Sequence, residues 1–138
     1  MKKIAAVMAA VGLLAAVKNA AAEPNWIEEG IQEVNKNGVT EHRQWWIDTN
    51  SVRRSGPTVM FWAKGRTDQA TNGLASWDLR MKVNCNQTDE QTIMSMVGYN
   101  QNGSVITSSA EPTTTPAPPG SLYANMADIM CKATSKMK

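Results

Sequence analysis

WDLRMKVNC, residues 77–85, places Trp77, Leu79, Met81, Val83 and Cys85 on one parity and Asp78, Arg80, Lys82 and Asn84 on the other. Successive side chains of an extended chain point to opposite faces, so this stretch is a strand with one apolar and one solvated face. Half-buried strands of this kind belong to antiparallel sheets, because parallel strands are covered on both faces and read as continuous apolar runs. The apolar face then needs a second layer over it.

Reading outward, a weaker period of two runs through TVMFWAK (58–64) and QTIMSMVGY (91–99), with shorter candidates at 26–34, 40–48 and 104–107. Six strands are expected. The segments between them carry turn chemistry: Asn35 to Gly38, Arg54 to Pro57, Asp68 to Gly73 and Asn100 to Gly103. In WWIDTNSVRRSG (45–56), Trp45 and Trp46 are consecutive strand residues and must face opposite sides of the sheet. Asp48 and Ser51 are expected to bracket a turn, since both side chains bond readily to nearby backbone.

After the sixth strand, EPTTTPAPP (111–119) reads as an extended connector, because its prolines cannot donate to a central ladder. The period then changes. From Ser121, an expected N-cap, Leu122, Met126, Ile129, Met130 and Ala133 recur on one face of a short helix. That helix is the layer the sheet requires, and Cys131 lies near its end.

The first 22 residues, MKKIAAVMAAVGLLAAVKNAAA, have a basic start, an apolar run from Ile4 to Val17 and a small-residue end, the pattern of a secretory signal peptide. Cleavage is expected between Ala22 and Glu23, leaving one domain at 23–138. No Cys follows the site, so a mature N-terminus without a lipid or membrane anchor is expected, with a periplasmic location and the outer surface or the medium as alternatives. Removal of the leader takes three lysines and no acids from 14 bases and 12 acids, leaving a net charge of −1. A near-neutral domain has no general electrostatic attraction for nucleic acid. In an oxidising compartment the only two thiols, Cys85 and Cys131, are expected to pair.

Three segments in order now carry a family resemblance: WWIDTNSV (45–52), KVNC (82–85) and SLYANMADIMC (121–131). Across about residues 26 to 131 the chain resembles the surface-adhesin protein E family. The resemblance implies an α+β fold: a six-stranded antiparallel sheet, with a C-terminal helix packed on its concave face and tethered by a disulfide. It also implies a tendency to form homodimers and adhesion to host matrix or serum proteins, with haem binding reported in the family.

Enzyme readings find little support. His42, the lone histidine, stands between Glu41 and Arg43 on a presumed strand, without a nucleophile-elbow serine, a free thiol or a phosphate loop. No cofactor or metal is expected. Met81, Met94, Met96, Met126 and Met130 are soft ligands suited to Cu(I), with Met94 and Met96 on one strand face, yet methionine more often fills the gap between a sheet and a helix. The expected function is non-catalytic binding of a protein partner through Trp45, Trp46, Arg53, Arg54, Lys64 and Arg66, since interface centres favour Trp and Arg. The alternative is a periplasmic envelope or assembly component with a bacterial partner. Intact mass of the exported product should correspond to Glu23–Lys138; a mass retaining Met1 to Ala22, or acyl chains, would reject the expected processing.

Overall fold

The computed structural model describes residues 23–137, so the residues read as a leader lie outside it. The strands are β1 (Trp26–Lys36), β2 (Val39–Ser55), β3 (Thr58–Thr71), β4 (Leu74–Asn84), β5 (Gln87–Tyr99), β6 (Val105–Ser109) and β7 (Thr113–Pro116), followed by helix α1 (Leu122–Ala133). All pairs are antiparallel, in the order β1-β2-β3-β4-β5-β6, with β7 also on β5. The six expected strands are present, and α1 packs on the sheet.

Tight turns explain the simple up-and-down order. Lys36 pairs with Val39 and Thr71 with Leu74, so each hairpin closes over an Asn-Gly pair. Asn37 and Gly38, and Asn72 and Gly73, all have positive φ, the conformation that two-residue hairpins of matching twist demand. Strand β3 therefore runs further than its alternation suggested, through Asp68 to Thr71.

Two segments depart from the sequence reading. The connector at 111–119 contains β7, whose Thr113 to Pro116 pair with Ile93 to Glu90 of β5. An edge position tolerates a proline because only one side of the strand is laddered. Asp48 and Ser51 do not bracket a hairpin turn; they lie in a bulge within the 17-residue β2, whose register jumps from Asp48↔Trp62 to Arg53↔Met60. The local chemistry is as expected, but it holds the bulge: the Ser51 hydroxyl donates to Asp48 O (2.7 Å) and accepts from Trp62 N (2.9 Å). The Asp48 carboxylate accepts from Asn25 N and Asn50 N. The chain turns instead at Gly56-Pro57, where Ser55 pairs with Thr58.

The core lies between α1 and one face of the sheet. Trp45, Ile47, Val59, Phe61, Ala63, Trp77, Leu79, Met81 and Val83 meet Met126, Ala127 and Met130 there. Four of the five core-side residues of WDLRMKVNC are thus fully buried, and Cys85 packs at their margin. Gly65 permits one close contact, since a methyl group at that position would overlap the Trp77 indole lying on it.

Both ends of α1 are held. The Ser121 hydroxyl accepts from Ala124 N (3.2 Å), the expected N-cap. Gln91 Nε2 donates to Tyr123 O, and Arg54 Nη1 donates to Cys131 O (3.2 Å) and Thr134 Oγ1 (3.1 Å). The buried stripe of α1 is Met126, Ala127 and Met130. Ile129 and Ala133, expected on that stripe, are exposed; the buried stripe is turned toward Ala127, and Ile129 (45% exposed) lies beside Gly30 and Ile31 of β1.

Cys85 and Cys131 are bonded across a separation of 46 residues. Closing a loop of that length stabilises the fold by about 4 kcal/mol in the chain-entropy model. Cys131→Ser should lower stability by about that amount in urea titration, with amide exchange in α1 accelerating before exchange in β3 and β4.

Candidate functional site

The face of the sheet away from α1 collects aromatic and basic side chains. Trp45 and Trp46 separate as expected. Trp45 is buried at 2% exposure, edge-to-face with Trp77 (5.6 Å) and with Tyr123 of α1 (6.1 Å). Trp46 is half-buried on the outer face.

Register builds the outer site row by row. Trp46 pairs with Lys64, and Lys64 with Asp78, so the three stand side by side on β2, β3 and β4. In the next row Trp26 pairs with Asp48, and Asp48 with Trp62. The Lys64 ammonium leaves its own row to sit 4.3 Å from the centre of the Trp26 ring, a cation–π contact joining the two rows. Trp26, Trp46 and Trp62 are all half-buried, each with part of its ring open to solvent.

Two adjoining clefts result. One, of about 580 Å³, is lined by Trp46, Lys64, Arg66, Asp78 and Tyr99 among others. The other, of about 420 Å³, is lined by Trp26, Asp48, Arg53, Trp62 and Asp78. Asp78 forms the wall between them; its Oδ2 accepts from the Tyr99 hydroxyl (2.8 Å), while its buried Oδ1 has no partner. Burial and this bond to a carboxylate push the Tyr99 phenol up from its ordinary value.

Of the six residues proposed from sequence, the structure brings Trp46, Lys64 and Arg66 into one cleft and puts exposed Arg53 on its neighbour. Trp45 belongs to the core. Arg54 is half-buried and bound to the carbonyl end of α1, where a cation also suits the helix dipole. Trp26, Trp62, Asp78 and Tyr99 were missed. Their signal was available in part, because Asp78 has the solvent-side parity of WDLRMKVNC and Trp62 the opposite parity to Phe61.

On the helix-bearing face, α1 leaves one end of the sheet uncovered. A trough of about 270 Å³ lies there, with Trp45, Leu74, Trp77, Leu79, Ile93, Met96 and Tyr123 as its apolar walls. Glu41 stands at its polar side and is 5% exposed. Its carboxylate accepts from Arg43 Nε (3.0 Å), Arg43 Nη2 (3.2 Å) and the Thr67 hydroxyl, with Lys36 Nζ at 3.7 Å. The Arg43 and Thr67 bonds hold the Glu41 carboxyl down at about 2. The Arg43 guanidinium also lies 5.8 Å from the Trp77 ring centre. Sequence reasoning set Glu41 and Arg43 beside His42 and passed over them, although they share parity with Trp45.

His42 itself is exposed, with Nδ1 3.0 Å from Asp68 Oδ2. Among the described residues no group of three His, Cys, Asp or Glu side chains could hold a metal ion, and no helix is long and apolar enough to cross a membrane. Met81, Met126 and Met130 fill the layer between sheet and helix. Met94 is out of phase with Met96, because the register of β5 jumps between Ile93 and Ser95 and puts Ile93 and Met96 on one face.

A family model for surface-adhesin protein E matches residues 32–132. The chain belongs to that family. No curated protein and no solved structure matches it significantly. The match extends from the middle of β1 to the residue after Cys131, and so includes both walls of the trough, the Trp46 cleft and the disulfide. Membership of this surface-adhesin family marks the chain as adhesin-like.

The Glu41 cluster makes stability depend on acid. A carboxyl with a folded-state value near 2 binds its proton more weakly than the unfolded chain does near 4.5. Its contribution is therefore complete above about 4.5 and is lost as pH falls toward 2. Urea midpoints should drop across that window in the wild type, and the part due to Glu41 should vanish in Glu41→Gln.

Proposed function

We propose that this member of the surface-adhesin protein E family is an exported, non-catalytic binding protein that takes a protein partner on its outer sheet face, with host matrix or serum proteins as the partner class. The observation that carries this reading is the grouping of Trp46, Lys64 and Arg66 in one cleft next to a second containing Trp26, Trp62 and Arg53. Half-buried tryptophans flanked by bases are what the centre of a protein interface uses: large rigid apolar area with few rotors, and charge at its margin. Asp78 lines both clefts and so makes them one continuous surface.

Export through the leader at 1–22, with the binding domain at 23–138, fits this reading, and a periplasmic or outer-surface location follows from it. Homodimer formation would use the free edge of β1, where Ile27 and Ile31 are exposed. The basic residues of the face favour an acidic surface on the partner, so attraction should fade as salt rises.

The discriminating variant is Trp46→Ala with Arg66→Ala, because neither side chain is in the core. Binding to a panel of matrix and serum proteins should weaken at least tenfold, since a central aromatic or arginine anchor contributes about 2 kcal/mol or more. Melting temperature should move little. Arg54→Ala should do the reverse, lowering stability through α1 while leaving binding intact. Equal binding by wild type and the double variant would remove the outer face as the site.

A further inference from the structure

The trough beside α1 has a chemistry of its own and lies on the opposite face from the proposed partner site. We propose that it binds a singly charged anionic amphiphile, a carboxylate carrying an unbranched apolar tail. The tail is called for by the walls. Leu74, Ile93, Met96 and Tyr123 are the trough's half-buried side chains, and they rest on the buried Trp45, Trp77 and Leu79. The helix cannot extend over this surface, because α1 begins at Leu122 and runs toward Cys131 at the other end of the sheet.

The headgroup follows from hydrogen-bond accounting at the rim. Glu41 is the carboxylate there, and its two oxygens already receive Arg43, Thr67 and Lys36. Arg43 spends Nε and Nη2 on that carboxylate, which leaves Nη1, and the Lys36 ammonium lies at salt-bridge distance with its side chain 56% exposed. Two cations against one anion leave a residual charge of +1. The rim's spare capacity is thus a set of donors with positive charge, suited to an acceptor of charge −1. An organic cation would meet both bases and a carboxylate with no lone pair to spare.

Volume limits the tail. The trough is open and of about 270 Å³, so it takes part of a medium-length chain, and decanoate is a suitable probe. Each methylene that packs on the trough should tighten binding by up to about fourfold.

The test is titration of the protein with octanoate, decanoate, dodecanoate, decanol and decyltrimethylammonium below their micellar concentrations, by calorimetry and by tryptophan emission, to which Trp45 and Trp77 contribute from beneath the trough. Expected results are saturable binding of decanoate at one site per chain, weaker binding of octanoate than of decanoate, and no binding of the cation. Decanol should bind several-fold more weakly than decanoate. Lys36→Gln should reduce decanoate affinity three- to tenfold and leave decanol unchanged. Trp46→Ala with Arg66→Ala should leave decanoate binding intact, which separates this site from the outer face. The proposal is overturned if decanoate does not saturate, if affinity ignores chain length, or if decanol binds as tightly as decanoate. It is equally overturned if dilution alone changes the emission and decanoate does not, the result expected if a second copy of the chain closes the trough.

Discussion

A single 12-residue helix has to cover a sheet whose longest strand has 17 residues. At about 1.5 Å per helical residue and about 3.3 Å per strand residue, α1 is roughly 18 Å long against a strand of roughly 56 Å. Both candidate sites follow from that mismatch. The helix is pinned to one end of the sheet by Cys85–Cys131, by Arg54 on its last carbonyls and by Gln91 near its start. The other end of the same face is left as the trough, and among the described residues no second layer covers the opposite face.

An open face of a sheet in contact with water needs polar cover. The outer face finds it in long amphipathic side chains: Lys64 lays its stem and ammonium over Trp26, and the tryptophans are half-buried by their cross-strand neighbours. This leaves ring area in contact with solvent without a flat apolar sheet, an arrangement stable in the free protein and able to gain from a partner. In the trough the solution is different. The Glu41–Arg43–Thr67–Lys36 cluster saturates its own carboxylate and seats the guanidinium over Trp77, so charge and aromatic surface share one wall.

The bulge in β2 connects the two faces. Between Asp48 and Arg53 the strand carries more residues than its partner, and Ser51 and Asp48 satisfy the backbone groups the ladder leaves unpaired. Consecutive residues part in any strand, but the odd register shift at the bulge decides that Arg53 faces the outer cleft and Arg54 the helix. Asp48 is the last residue in regular register before the bulge, and there it is buried between Trp26 and Trp62.

The architecture was legible because it rests on local rules. Alternation in 77–85 and 58–64 fixed which residues form the core, Asn-Gly pairs and Ser121 marked the turns and the helix start, and two cysteines with an apparent export signal implied the bridge. Alternation also decided that Trp45 and Trp46 part company. What the sequence could not show were events depending on residues distant in the chain: the bulge that replaced the turn at Asp48–Ser51, the edge pairing that turned Thr113–Pro116 into β7, and the rotation that exposed Ile129. Arg54 looked like a turn-tip charge until Cys131 and Thr134, far along the chain, were seen within its reach. The candidate sites belong to this second class, since Trp46, Lys64 and Asp78 become neighbours only through register, and the trough exists only because the helix stops short.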